Sequence, residues 1–338
     1  MLIGLLRNYK VPEAKDRVAA LNIKEFGHQA IFFSINDVDF EKKEIKCKNL
    51  ENGKWVETIS CYPDVVYNDL PPVRKADPKL YKKLEDEGIP FTTHRLGLDK
   101  ARFTEIMKKN PYLHKYMIET INSPNVEEFK AFLDKHKSIV LKPNRGHKGL
   151  GVSVYEIDDK EKLISIENHD GVKELIKIKE MEKHLDKIDL RLHHLQKKVT
   201  SYTKNNLPFI IRSYVGKNGK GKWMNMFNYA AVSTNANNVV NVSRGSGLCF
   251  FKEFCEDNYG KDAEFYREKI KKSCIEVAEA VQKEFSFEID ALGLDYALTE
   301  EGDLYLYEVN TFPGTRPYDA LVQFHAVQFA MYLYNKKS

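Results

Sequence analysis

Asp303-Leu-Tyr-Leu-Tyr-Glu-Val-Asn-Thr-Phe-Pro-Gly-Thr315, near the end of the 338-residue chain, decides how the whole sequence is read. Residues 304–307 alternate aliphatic and aromatic side chains, the pattern of a buried strand. Glu308 and Asn310 follow two residues apart, and residues i and i+2 of a strand share a face. Both side-chain oxygens therefore converge on one spot before Pro313-Gly314 stops the strand and turns the chain. Oxygen donors on a rigid strand suit a hard cation such as Mg²⁺. A strand ending in solvated polar residues gives the same letters, so the meaning of the stretch depends on what the rest of the chain brings to it.

Just upstream, Leu292-Gly-Leu-Asp-Tyr-Ala-Leu298 predicts a strand bearing Asp295, joined to the first by Glu300-Glu-Gly-Asp303. An antiparallel pair with so short a turn sets Asp295 beside Glu308 and Asn310. Residues 138–155 form a second candidate element. An apolar strand delivers Lys142, a loop with Gly146, Gly149 and Gly151 follows, and another strand leaves. Glycines let backbone N–H groups approach an anion, and Arg145, His147 and Lys148 add positive charge. The lysine precedes the glycines and no helix follows, so this is not a Walker loop. An ordinary β-turn with exposed basic residues is its bland counterpart.

Residues 208–215 and 223–232 predict long strands joined across Gly216-Lys-Asn-Gly-Lys-Gly221. Arg212 lies inside the first of them, where a guanidinium needs a partner or a ligand. Asn241-Val-Ser-Arg-Gly-Ser-Gly247 is a second glycine-rich turn, and its Arg244 suits a phosphate or carboxylate. Three oxygen-bearing side chains on one face, with Lys100, Lys142, Arg212 and Arg244 available for phosphates, describe a nucleoside triphosphate and Mg²⁺ held between two sheets.

Composition sets the frame. Apolar residues make up 42% and charged residues 30%, ordinary values for a globular protein. A net charge of +4 does not demand nucleic acid or an anionic membrane as partner. No apolar run reaches the length of a membrane span, and Met1-Leu-Ile-Gly-Leu-Leu6 reads as a first strand, not a signal peptide. Five cysteines without a CxxC pair point to a reduced cytoplasm and against a zinc site.

Up to about residue 95 strands and helices alternate, with an Asn52-Gly53 hairpin, which indicates a small α/β domain without a catalytic constellation. His94 and Arg95 close it as loop residues. Helices are predicted from Leu98-Asp99-Lys100, with Asp99 as N-cap, over 126–136, over 259–285 and over 318–334. Met181, Leu185, Ile188, Leu192, Leu195 and Val199 form a helical stripe, which predicts a helix over 181–199 with a solvated charged face. On such a helix the adjacent His193 and His194 cannot share a face, so they do not make a metal pair.

Taken together, Leu-Asp-Lys100, Val-Leu-Lys142-Pro with its glycine loop, Gly-Leu-Asp295 and Tyr-Glu308-Val-Asn310-Thr-Phe-Pro-Gly314 resemble, in that order, the ATP-grasp superfamily. Pro63-Asp-Val-Val-Tyr67, Gly88-Ile-Pro-Phe91, the 208–223 segment and Asn241-Val-Ser-Arg-Gly245 make the chain look like the YheC/YheD branch, labelled spore-coat associated. The resemblance implies an α/β (α+β) ATP-grasp fold. It implies an N-terminal pre-ATP-grasp domain over 1–97, a small subdomain with the glycine-rich loop and a helical insertion over 98–207, and a catalytic, metal-binding subdomain over 208–338.

Carried over by residue, Lys100, Lys142 and Arg212 would contact ATP phosphates, with Gly146, His147, Lys148, Gly149 and Gly151 closing over them. Asp295, Glu308 and Asn310 would hold one or two Mg²⁺, with Mn²⁺ able to substitute. Arg244 would stabilise an acyl phosphate and the tetrahedral intermediate, with Lys142 and Glu308 completing the catalytic set. Ser246 stands where ribosomal-protein glutamate ligases carry a second glycine, and Ile210 where relatives carry an Asp, departures that bear on the substrate side. No acidic or Gln-bearing adenine hinge shows between Val199 and Tyr214.

The implied activity is carboxylate–amine ligation through an acyl phosphate, on small-molecule or peptide acids and amines, by a cytoplasmic protein that is spore-associated in this branch and free to form a homo-oligomer. A small-molecule kinase and a non-catalytic ATP-binding coat protein are the alternatives.

Overall fold

A computed structural model describes residues 1–69, 78–93, 100–144, 150–233 and 246–337. Three six-stranded sheets organise the chain in sequence order.

The first sheet contains β1 (Leu2–Arg7), β2 (Gln29–Ser34), β3 (Val38–Asp39), β4 (Glu44–Glu51), β5 (Lys54–Cys61) and β6 (Val65–Asn68). β1 lies between β2 and the edge strand β6, parallel to both, and its residues Ile3, Leu5 and Leu6 are fully buried because helices cover both faces. The β4–β5 hairpin turns at Asn52-Gly53, where both residues have positive φ, as the Asn-Gly pair predicts. One face packs on α1 (Ala14–Glu25), the other on α2 (Pro78–Asp86). Arg7 is sealed in this core, donating to Asp16 at 2.7 Å and to the carbonyls of Leu6 and Tyr67.

The second sheet runs β11-β10-β9-β8-β12-β7. Its strands are β7 (Thr120–Asn122), β8 (Ser138–Pro143), β9 (Ser153–Asp158), β10 (Leu163–Asn168), β11 (Lys173–Lys177) and β12 (His193–Lys197). Helix α3 (Lys100–Lys109) precedes this sheet, and α4 (Val126–His136) packs on it. The expected 181–199 helix is not formed. Only α5 (Met181–Leu185) is α-helical, and residues 193–197 are β12, a central strand. Of the stripe, Met181, Leu185 and Leu195 are buried, Ile188 and Val199 are half-buried and Leu192 is exposed, while Leu190, outside the stripe, is buried, so the helical period held only in part.

The third sheet runs β16-β15-β14-β17-β18, with β13 on the side of β14. Its strands are β13 (Ser201–Tyr202), β14 (Pro208–Lys217), β15 (Trp223–Val232), β16 (Gly247–Phe250), β17 (Ala291–Leu298) and β18 (Leu304–Asn310). The predicted 259–285 helix is α7 (Ala263–Lys283), preceded by a separate α6 (Phe251–Tyr259); Gly260 at positive φ breaks the two apart. One face of the sheet packs Ile211, Val215, Leu292, Leu294, Tyr296 and Leu306 on α6 and α7. The other face is packed at one end around Tyr214, Phe227 and Val322 and carries Arg212, Asp295, Glu308 and Asn310 beside that packing.

The last helix, α8 (Asp319–Lys337), ties this sheet to the first. Val322 sits with Tyr214 and Phe227 of the third sheet, while Ala326, Val327, Ala330 and Leu333 share the core of β1 and α1. The same junction holds Asp290, whose carboxylate accepts from Thr93 and whose backbone N–H donates to that hydroxyl at 2.8 Å. Burial and the nearby Asp69 push the Asp290 carboxyl up to about 6. A raised acid means that the folded chain binds the extra proton, so stability falls as pH rises from about 4 to about 6. Asp290→Asn, which keeps the acceptor for Thr93, is expected to gain about 1–3 kcal/mol at pH 7 and nothing at pH 4, read by urea unfolding at the two pH values.

Candidate active site

The free face of the third sheet carries one row of side chains across five strands. Paired positions run Glu308 on β18, Asp295 on β17, Arg212 on β14, Tyr229 on β15 and Phe250 on β16. Asn310 lies one pair further along, opposite Gly293.

Simple alternation would not put Glu308 there. Leu304 and Leu306 point into the helix-covered core, and residue 308 would follow them in an unbroken strand. The register slips between Asp295 and Tyr296, so Tyr307 has no opposing residue. This bulge turns Glu308 and Asn310 to the open face, where they meet Asp295. Sequence reasoning paired the two residues with each other correctly, but no letter in the stretch announces the slip.

Arg212 and Asp295 form a two-pronged ion pair. Nη2 donates to Oδ2 at 2.8 Å and Nε donates to Oδ1. Asn310 Nδ2 approaches Asp295 Oδ2 at 3.4 Å. Burial is the largest influence on the Asp295 carboxyl and raises it, with Arg212 opposing and Glu308 adding to the rise. Arg212, which needed a partner inside an apolar strand, has that partner in Asp295.

After β18 the chain folds back across the sheet. A Cβ on Gly293 would sit 2.7 Å from Pro313 Cβ, so only glycine admits this turn against β17. Tyr318 then stacks on Phe227 at 4.4 Å between centroids, and Phe227 in turn stacks on Tyr214. Thr315 donates to Asp319 at the start of α8.

Lys142 comes from β8 of the second sheet, and its Nζ donates to Gln196 on the adjacent β12 at 2.5 Å. It also lies 5.5 Å from the centre of the Tyr307 ring. The Tyr307 hydroxyl donates at 2.6 Å to the carbonyl of Val199, in the link between the second and third sheets. The bulged residue of the acidic strand thus touches both the lysine of the facing sheet and the crossing between sheets. Gln196 and Tyr307 were both missed in the sequence. Gln196 was hidden in the supposed helix, and Tyr307 looked like one more core aromatic.

Gly151 has φ +74°, and its Cα approaches Pro143 so closely that a Cβ would lie 2.8 Å from the ring. The rest of the glycine loop (Gly146, His147, Lys148 and Gly149), the Arg244 turn, Asp99, and His94 with Arg95 lie outside the described residues. Lys100 is the first residue of α3.

The donor set fits a divalent cation. Among the described residues no three His, Cys, Asp or Glu side chains gather into a cluster, but Asp295 and Glu308 are two carboxylates with Asn310 as a third oxygen donor. Each carboxylate oxygen keeps lone pairs beyond those used by Arg212 and Asn310. Two or three protein oxygens and otherwise open coordination are what Mg²⁺ takes when it binds with phosphates.

Three layers arranged in this way make up the ATP-grasp fold. The D-alanyl-alanine synthetase A of Vibrio cholerae O1 biovar eltor superposes with a TM-score of 0.54 at 17% identity, covering 99% of this chain and 98% of that one. Within that fold the chain belongs to the YheC/D-like ATP-grasp family, whose model matches residues 88–334. Two Bacillus subtilis (strain 168) proteins are similar over most of its length. The endospore coat-associated protein YheC is 24% identical, across 86% of this chain and 82% of its own, and YheD is 20% identical, across 93% and 72%. No helix among the described residues is long and apolar enough to cross a membrane.

Proposed function

We propose that this chain is an ATP- and Mg²⁺-dependent carboxylate–amine ligase, forming an amide or peptide bond by way of an acyl phosphate. The observation that carries the reading is the Glu308–Asp295–Arg212 row, aimed by the Tyr307 bulge and facing Lys142 across the Tyr307 ring. In this reading Asp295, Glu308 and Asn310 hold one or two divalent cations, Mg²⁺ or Mn²⁺. Lys100, Lys142 and the loop from Gly146 through His147, Lys148 and Gly149 to Gly151 take the phosphates. Arg212 contributes in two ways: it counters the rise that burial imposes on the Asp295 carboxyl, and it adds positive charge beside the metal. Arg244 would stabilise the acyl phosphate.

No side-chain nucleophile is required. A bound Mg²⁺ supplies charge neutralisation for phosphoryl transfer, and the protein's own part is orientation and fixed charge. Gln196 holds the Lys142 ammonium in place, and the Tyr307 latch fixes the spacing between the lysine and the acidic strand. The subdomain limits near residues 97 and 207, a cytoplasmic setting and spore association belong to the same proposal, the last supported by the naming of the two similar Bacillus proteins.

The test is ADP release by the purified chain with ATP, Mg²⁺ and a panel of acid–amine pairs. Release is expected only when both partners are present. Release with the acid or an alcohol alone, leaving a stable phosphorylated product, points instead to a kinase, and tight ATP binding without turnover on any pair points to a scaffold.

A further inference from the structure

The row across the third sheet does not end at Arg212. Tyr229 follows on β15 and Phe250 on the edge strand β16, all on the open face. Tyr229 lies close enough to Arg212 and Asp295 for their charges to act on its hydroxyl. Phe250 is 68% exposed and Leu248, two residues earlier on the same face, is 46% exposed, unusual values for large apolar side chains beside a polar site. At Phe250 the chain leaves β16 for α6, so the rest of β15 is uncovered. An open cavity of about 500 Å³ lies around that edge towards α6 and α7, where Phe227, Phe250 and Tyr318 meet the charged side chains of Lys252, Glu253 and Arg267.

One end of the row is ionic, and the other ends on the exposed apolar side chains of Phe250 and Leu248. Neighbouring strands are about 4.8 Å apart, so Phe250 lies two strand spacings, about 10 Å, from Arg212. A molecule whose carboxylate reacts at the ionic end must extend its body somewhere, and this continuous face leads to Phe250. We propose that Tyr229, Phe250 and Leu248 form the specificity subsite for the acid substrate, which carries an aromatic or large aliphatic group about 10 Å from its reacting carboxylate. Extended peptide advances about 3.4 Å per residue, so a short peptide with an apolar residue two positions before its C-terminus has this shape. Acidic saccharides, lacking such a group, do not. The subsite rests on the ligase reading for where the carboxylate sits, but it can be read by binding alone.

The full chain is saturated with Mg²⁺ and a non-hydrolysable ATP analogue, then titrated calorimetrically with Phe-Gly-Gly and with Ala-Gly-Gly. Burying one aromatic ring predicts at least tenfold tighter binding of Phe-Gly-Gly. Phe250→Ala, a change at an exposed position, is expected to bring the two peptides within about twofold of each other while leaving analogue binding and the affinity for Ala-Gly-Gly unchanged. Equal affinities in the unaltered chain, no binding of Phe-Gly-Gly, or a preference that survives Phe250→Ala overturns the subsite. Failure to form an amide with a peptide that binds in this way counts against the ligase reading and leaves the subsite standing.

Discussion

Glu308→Gln is expected to leave the chain folded and to lower ADP release, on any acid–amine pair that supports it, by about 10²–10³-fold or more. The substitution keeps the shape of the side chain and removes one charge from a face whose other members are Asp295 and Asn310. A lost electrostatic contact to the transferring group costs about 3–4 kcal/mol of transition-state stabilisation, which sets that range. Stability should change little or rise, because Glu308 and Asp295 sit opposite each other and repel. Turnover together with a thermal melt checks both halves. Activity within threefold of the unaltered chain would remove Glu308 from the site.

Arg212→Met is expected to be the most destabilising change on the same face, at about 3–5 kcal/mol. It strips a two-pronged partner from a carboxylate that is 11% exposed. Burial already raises the Asp295 carboxyl, and without the guanidinium it rises further. The deficit should therefore shrink as pH falls and the carboxyl becomes neutral. Arg212→Met combined with Asp295→Asn should recover much of the lost stability and none of the turnover. Urea unfolding at pH 5 and pH 8 measures this; a pH-independent deficit, or no rescue by the second change, would show that the pair is not the source of the loss.

Much of the fold was legible because its signals are local. The apolar runs 2–6 and 30–33, the Asn52-Gly53 turn and the amphipathic 126–136 helix each carry their own physical cause, and the corresponding elements formed. The 181–199 segment failed because buried strands and short helical turns can share one apolar spacing, and only tertiary pairing of β12 with β8 decides between them. At the site, the short turn placed the strand of Glu308 and Asn310 beside that of Asp295, and the shared face of Glu308 and Asn310 followed from the i, i+2 rule. The bulge that turns Glu308 and Asn310 to the open face did not, since a register slip is a property of two strands together. Arg212 illustrates the same limit. Its need for a partner was readable from an apolar strand, whereas the choice of Asp295 depends on β14 lying next to β17. The Tyr229–Phe250 end of the row is wholly a product of strand order and has no counterpart in any motif.

The claim on which everything else rests is that Asp295, Glu308 and Asn310 hold the divalent cation of a bound nucleotide. Electron paramagnetic resonance of Mn²⁺ added to the chain with a non-hydrolysable ATP analogue tests it most directly. One or two Mn²⁺ per chain are expected to bind only when the nucleotide is present, and both Glu308→Gln and Asn310→Ala should weaken that binding at least tenfold. Mn²⁺ binding that is the same in both variants as in the unaltered chain would contradict the account.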